Sequence, residues 1–375
     1  MKIVIAPDSF KGSVSATEAA LAIEKGIRNY LPQAETVLVP VADGGEGTME
    51  SLVAATQGKK VPVKVMGPLH TPVNAAYGVL GDGRTCVIEM ASAAGMYLVP
   101  EERRNPLVTT TYGMGQMIRK ALDEGYRQFI LAIGGSATND GGIGMLQALG
   151  MKLLDDSGKC VGVGGQELLR IARIDDSDWD KRIAESTFLI ASDVQNPLVG
   201  ENGASRVFGP QKGATPEMVD LLDRGLRHWA DLVDDKTGIR LHDLPGAGAA
   251  GGTGGALLAF FPAVRKRGID VVMEYAGLRE ALRSADVVIT GEGRIDFQTA
   301  YGKTPMGVAQ EAKRLGIPVI ALAGSIGKGI DTLYQYGITS VHSIVNGPMS
   351  IEEAMVRAAE LLEQKAEQVI RTIFQ

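Results

Sequence analysis

The run Ile133-Gly134-Gly135-Ser136-Ala137-Thr138-Asn139-Asp140-Gly141-Gly142-Ile143-Gly144-Met145 constrains this chain more than any other stretch. It lies between an apolar run, Phe129 to Ile133, and an apolar-periodic run, Met145 to Leu149, which reads as strand, tight glycine turn, helix. Glycines lack Cβ, so backbone N–H groups can converge, and a helix beginning just beyond them adds partial positive charge at the same point. Such a turn favours anions, phosphate above all. A purely structural turn needs glycines but not Ser136, Asn139 and Asp140 together, so this one is read as a ligand loop.

The other glycines extend that reading. The chain has 48 of them in 375 residues, well above the usual ~7%. They cluster at 44–47, 134–144, 162–165, 246–255, 291–293 and 324–329, as ligand loops do and low-complexity sequence does not. The length suggests two domains at ~100–200 residues each. A net charge of −6 without a basic stripe argues against a nucleic-acid partner. Cys86 and Cys160 form no C-x-x-C, and the four histidines have no metal-ligand spacing, so a reduced protein without structural zinc is expected. The first apolar residues are too few for a signal peptide, and the run Ala256 to Val264 is broken by Pro262, so no membrane partner is expected and the cytoplasm is the expected compartment. A homo-oligomer stays open.

Taken in order, Lys2 to Ala6 reads as a buried strand, Pro7 to Gly12 as a loop, and Ser15-x-x-Glu18 as a capping box opening a helix. A strand from Thr36 to Val41 then leads through Asp43-Gly44-Gly45-Glu46-Gly47-Thr48 into a helix ending near Ala55. Two strand-loop-helix units in succession imply a parallel sheet. Ligands bind beyond the carboxyl ends of such strands, where Asp8, Lys11, Asp43 and Glu46 would sit. From Val61 to Val99 the pattern turns β-rich. Strand Thr187 to Ser192 ends at Asp193, Thr215-Pro216 starts a helix to about Val233, and Gly246 to Gly255 forms a second glycine loop. Beyond Ala285 the βα rhythm returns: strand Asp286 to Thr290, a loop of Gly291-Glu292-Gly293, Asp296, Gln298-Thr299 and Gly302-Lys303, a helix from Thr304, strand Pro318 to Ala323, strand Ser340 to Val345, and a helix capped by Ser350-x-x-Glu353. The two ends therefore share one sheet. The expected architecture is α/β in two domains: a parallel-sheet, Rossmann-like domain from 1–60 and 285–375, and an inserted mixed α/β domain from 61–284, with the active site in the cleft.

Phosphoryl transfer needs phosphate-binding turns, carboxylates for Mg²⁺, and Lys or Arg for the transferring group, and these loops hold all three. No G-x-x-x-x-G-K-[ST] occurs, because Phe297 stands five residues before Gly302, and the protein-kinase H-R-D and D-F-G are absent. Asp193, following an apolar strand, can ligate a metal, act as a base, or simply cap its turn; Asp296 has the same alternatives. Lys11 and Lys212 each stand beside a glycine, as suits close approach to an anion, although a solvated lysine reads equally well. Arg206 and Arg294 are candidate clamps for a carboxylate or phosphate, or surface residues.

Seven strings in order resemble one family, the bacterial type I glycerate kinases: Ala6-Pro7-Asp8-Ser9-Phe10-Lys11-Gly12; Asp43 to Thr48; Gly134 to Gly142; Ser192-Asp193 with Asn196-Pro197-Leu198; Val207 to Ala214; Gly246 to Gly255; and Thr290-Gly291-Glu292-Gly293-x-x-Asp296. The resemblance implies ATP-dependent phosphorylation of D-glycerate, with Mg²⁺, in a cleft between two α/β domains. Enzymes of this type generally yield 2-phosphoglycerate. It supplies no agreed catalytic base, so the roles follow from the residues. Gly134, Gly135, Ser136, Thr138, Asn139 and Asp140, with Gly251, Gly252 and Gly254, are expected to hold the ATP phosphates. Asp193 and Asp296 are expected to divide the metal and general-base roles. Lys11 is expected to orient glycerate for catalysis, with Asp8, Asp43, Lys212 and Arg294 binding it. The rival readings are a kinase giving 3-phosphoglycerate or acting on a related hydroxy acid, a nicotinamide-dependent hydroxy-acid reductase, prompted by the literal G-x-G-x-x-G at 246–251, and a non-catalytic nucleotide sensor.

Overall fold

The computed structural model describes residues 1–297, 299 and 304–374. Gln298, Gly302 and Lys303 of the expected loop lie outside the described residues. The strands, in chain order, are β1 (Lys2–Pro7), β2 (Glu35–Leu38), β3 (Lys59–Met66), β4 (Pro72–Val79), β5 (Thr85–Glu89), β6 (Gln128–Ala132) and β7 (Lys152–Leu154). They continue as β8 (Arg173–Asp175), β9 (Thr187–Ala191), β10 (Ala263–Lys266), β11 (Val287–Ile295), β12 (Val319–Ile326) and β13 (Ile338–Ser343).

The chain divides into two compact α/β units: one of 1–43, 50–57 and 268–375, the other of 44–49 and 58–267. Residues 268–284, which the sequence reading joins to the inserted domain, lie in the first of these.

In the first unit both chain ends contribute to one five-stranded sheet, ordered β13-β12-β11-β1-β2 and parallel throughout. Its strand β1 is continuously apolar from Ile3 to Ala6 and fully buried there, because parallel strands are covered by helices on both faces. The helix Ala16–Tyr30 starts at a complete capping box, Ser15 N–H to Glu18 Oε2 at 2.8 Å and Glu18 N–H to Ser15 Oγ at 3.2 Å. It lays Ala19, Ile23 and Ile27 on the core and packs along the helix Ala358–Ile373. Gly26 sets that approach: a Cβ there would stand 2.1 Å from the Glu363 carbonyl oxygen.

β11 runs further than its apolar stretch suggests. Glu292, Gly293 and Arg294, expected in a loop, continue the strand because β12 stays in parallel register beside them, Arg294 opposite Ser325 and Ile295 opposite Ile326. Gly291 permits it, since a Cβ there would lie 2.3 Å from the Leu322 carbonyl oxygen. The terminal helix is also two: Ile351–Val356, capped by Ser350, and Ala358–Ile373.

The second unit carries a six-stranded mixed sheet, β10-β9-β6-β5-β4-β3, in which β4 runs antiparallel to both neighbours and the remaining pairs are parallel. A separate hairpin pairs β7 with β8. Its core gathers Trp229, Tyr77, Ile88 and a stacked pair, Phe129 and Phe188, with ring centroids 4.8 Å apart. The helix Pro216–Thr237 outruns the expected end near Val233 and stops where Gly238 takes φ 73°, the left-handed cap that glycine tolerates.

Candidate active site

In the first unit a cavity of about 540 Å³ opens at the carboxyl edge of the parallel sheet. β1 ends at Pro7 and delivers Asp8, whose N–H still donates to the Gly291 carbonyl of β11 at 2.8 Å. Beyond β2 the backbone keeps its place through Val39 N–H to Ile5 O and Val41 N–H to Pro7 O, which carries Asp43 to the same edge. The far end of β11 adds Glu292 and Arg294. Asp8, Lys11, Asp43 and Arg294, four of the residues singled out from sequence, thus line one cavity, as the strand-end rule for open parallel sheets leads one to expect.

Each of these groups is held by its neighbours. Lys11, largely exposed, has its Nζ 3.4 Å from Asp43 Oδ2, and that carboxylate, reinforced by Asp8, raises the lysine pKa, so the ammonium stays charged. Asp8 is only 6% exposed and its Oδ1 accepts the Ser9 N–H at 2.6 Å. Burial, with the charge of Asp43 beside it, pushes the Asp8 carboxyl up to about 7, Lys11 opposing weakly. Glu292 Oε1 accepts the Thr299 hydroxyl at 2.8 Å. Arg294, largely exposed, donates Nε–H to Asp296 Oδ2 at 3.0 Å, so Asp296, buried, is already faced by a guanidinium.

Sequence reasoning missed the opposite wall. Ile344, Val345, Met349, Met355 and Ala358 line it, and Ser13 Oγ donates to the Met355 carbonyl at 2.5 Å to hold the helix Ile351–Val356 against the Pro7–Ser13 loop. The available signal was the Ser350 cap following β13, another strand-end position.

The second unit holds Asp193, Lys212 and both glycine loops. Asp193 is part-buried two residues past the end of β9. In the opening turn, Gly134 N–H donates to Gly44 O at 3.2 Å, Gly141 N–H to Gly251 O at 2.9 Å and Gly142 N–H to Asp140 Oδ1 at 3.1 Å. These donors, which the glycine spacing would aim at a phosphate, are engaged by protein acceptors. The glycines also allow close backbone packing: a Cβ on Gly134 would stand 2.6 Å from Gly45 Cα, and one on Gly254 would stand 2.4 Å from Gly246 O. Gly252 meets Gly141 in the same way. Gly135 stays exposed at the turn, while Ser136, Thr138, Asn139 and Asp140 are buried.

Lys212 is buried beneath this turn, its Nζ donating to Ser136 Oγ at 3.0 Å and to Thr138 O at 2.6 Å. Burial lowers its pKa to about 7, with Asp140 pulling the other way. Its contacts are those of a residue that holds the turn in shape. Arg206 pairs with Asp220 at 3.2 Å and Glu201 at 3.5 Å. The literal G-x-G-x-x-G at 246–251 leads into the turn Ala249–Gly252, with positive φ at Ala250 and Gly251, and no strand precedes it. That is not the strand-turn-helix of a dinucleotide fingerprint.

Among the described residues no three His, Cys, Asp or Glu side chains gather into a metal cage, and no helix is long and apolar enough to cross a membrane.

The relationships of the chain agree with its loops. The model of the glycerate kinase family matches residues 3–374. The glycerate kinase of Bacillus subtilis (strain 168) is 52% identical over 373 residues, covering 100% of this chain and 98% of its own. The glycerate 2-kinase of Escherichia coli (strain K12) is 49% identical over 373 residues with the same coverage. A crystal structure from Salmonella typhimurium LT2, assigned as glycerate kinase 2, superposes with a TM-score of 0.88 at 50% identity, covering 100% of this chain and 98% of that one. With matching strand-end loops, a match along nearly its whole length and half its residues shared with such relatives, the chain belongs to the glycerate kinase family.

Proposed function

We propose that this protein transfers the γ-phosphoryl group of ATP to the 2-hydroxyl of D-glycerate, yielding 2-phosphoglycerate. What carries the reading is the convergence of Asp8, Lys11, Asp43 and Arg294 on one cavity at a sheet edge. Glycerate is a small anion, and Lys11 and Arg294 are the cations that would hold its carboxylate, Arg294 through paired N–H donors and Lys11 as a point charge. Asp8 and Asp43 would orient its hydroxyls. In the second unit the exposed Gly135 is the proposed nucleotide contact, with Lys212 keeping its turn in place.

Mg²⁺ enters this proposal with the ATP phosphates, because it needs only one or two protein carboxylates beside them. The absence of a three-residue cage among the described residues fits that mode. Arg294 faces Asp296 and disfavours a cation there, so Asp193 is the carboxylate that would hold the ion. Bound, it would neutralise charge on the departing phosphates. The cytoplasm is the proposed compartment, in keeping with the free cysteines Cys86 and Cys160.

Incubation with D-glycerate and MgATP, followed by phosphorus NMR, tests the reading. The expected product is 2-phosphoglycerate; 3-phosphoglycerate would reverse the substrate's orientation, and no ADP release would remove the assignment. Lys11→Met and Arg294→Met should each raise KM for glycerate ~10–100-fold, the worth of one charged hydrogen bond, with smaller effects on kcat. Unchanged KM values in both variants would place the carboxylate elsewhere.

A further inference from the structure

We infer that Asp8 is the catalytic base, the group that takes the proton of the attacking glycerate hydroxyl. This rests on the proposed reaction in the first-unit cavity and reassigns a role that the sequence reading gave to Asp193 or Asp296.

Three carboxylates line the cavity, and their surroundings differ. Asp43 pairs with the Lys11 ammonium at 3.4 Å, so its charge is already engaged. Glu292 accepts the Thr299 hydroxyl and lies further along β11, where Arg294 follows two residues later. Asp8 is the most buried of the three, set at the carboxyl end of β1 with its backbone N–H tied to Gly291 O. A base needs a fixed position before it needs a tuned pKa, and the β1–β11 pairing supplies it. Among the described residues, the charged groups that line the cavity with it are Asp43 and Lys11 on the neighbouring loops and Glu292 and Arg294 on β11. Burial, and after it the charge of Asp43, outweighs the Ser9 N–H bond and the Lys11 ammonium and leaves the carboxyl titrating near neutrality, where a general base is most effective.

The substrate oxygen forms a bond to the γ-phosphorus, the bond from that phosphorus to the β,γ-bridging oxygen breaks, and ADP leaves with the bonding pair. The hydroxyl proton passes to the Asp8 carboxylate and from there to solvent.

The experiment measures kcat and KM for D-glycerate and ATP across about pH 5.5 to 9 in the wild type, Asp8→Asn and Asp8→Glu. The wild type should show an acid limb in kcat/KM with an apparent pKa near 7. Asp8→Asn should lose ~100-fold or more in kcat, keep both KM values within about threefold and lose the limb, the loss expected for removing a general base. Asp8→Glu should retain the limb and part of the rate. Asp8→Asn should also fold. The native carboxyl sits near 7 against 3.8 unfolded, so the wild type loses stability as pH rises between those values. The variant should therefore melt higher than wild type at pH 8, with the advantage fading by pH 4. A wild type that does not turn over glycerate overturns the proposed function and this assignment with it. A wild type that does, while Asp8→Asn keeps kcat within about fivefold or fails only through KM, overturns the base alone. Should the asparagine variant not fold, a wild-type kcat/KM profile flat between about pH 6 and 8 overturns it as well.

Discussion

Replacing Gly251 by alanine should destabilise the protein by ~2–5 kcal/mol, the sum of ~1–2 for a side chain forced into left-handed backbone and ~1–3 for overpacking. Gly251 has φ 65°, and a Cβ there would lie 2.1 Å from the Thr138 carbonyl oxygen and 2.6 Å from Asn139 Cα. Neither neighbour can rotate away, because both are backbone. The Thr138 carbonyl also accepts from Lys212, and the Gly251 carbonyl accepts the Gly141 N–H, so a displacement would pull on the whole turn. Gly238 is the control. It has φ 73° with nothing within 4 Å of an added methyl, so Gly238→Ala should cost only the ~1–2 kcal/mol of the backbone. Urea unfolding of both variants separates the two causes. Equal losses would mean that the contact with residues 138 and 139 is not what demands glycine.

Asp140→Ala should cost about 3–5 kcal/mol, for a different reason. Asp140 is fully buried and accepts from Thr111 N–H at 2.9 Å, Thr111 Oγ1 at 2.8 Å and Gly142 N–H at 3.1 Å. Each buried donor left without an acceptor costs ~1–3 kcal/mol. Against this stands relief from burying a carboxylate, which is why burial raises its pKa despite those donors. The hydrogen bonds prevail because alanine cannot replace even one of them. Asp140→Asn keeps one acceptor but turns an NH₂ group toward the remaining donors, so it should fall between wild type and alanine. Thermal unfolding at neutral pH ranks the three, and an alanine variant as stable as wild type would show that water satisfies those donors.

These two residues also show how far the sequence could be read. The turn Gly134 to Gly144 was legible as a special element, since five glycines around a Ser, Thr, Asn and Asp suit neither regular helix nor strand. Its use was not legible. Whether a glycine N–H faces a phosphate or another strand-end loop depends on what the fold brings opposite it, and Gly44 and Gly251 lie far away in sequence. The same holds for Lys212. A lysine beside a glycine reads as an anion binder, but the fold buries it under Thr138 and lowers its pKa to about 7. Asp8 shows the converse: its strand-end position was plain from the Ile3-Val4-Ile5-Ala6-Pro7 run, while its basicity depended on burial and on Asp43.

Local pattern alone was enough for the elements that short-range physics controls: the capping box at Ser15 and Glu18, the continuously apolar β1, the strand-loop-helix rhythm at both chain ends, and the family strings at the strand ends. The tertiary structure decided the rest, because each outcome needed a partner from elsewhere in the chain. β11 reached Ile295 only because β12 paired with it, and Glu292 and Arg294 joined Asp8 only because β1 and β11 lie side by side. A side chain's charge, its proton affinity and the use of a glycine are set by surroundings, and those surroundings exist only once distant segments have packed.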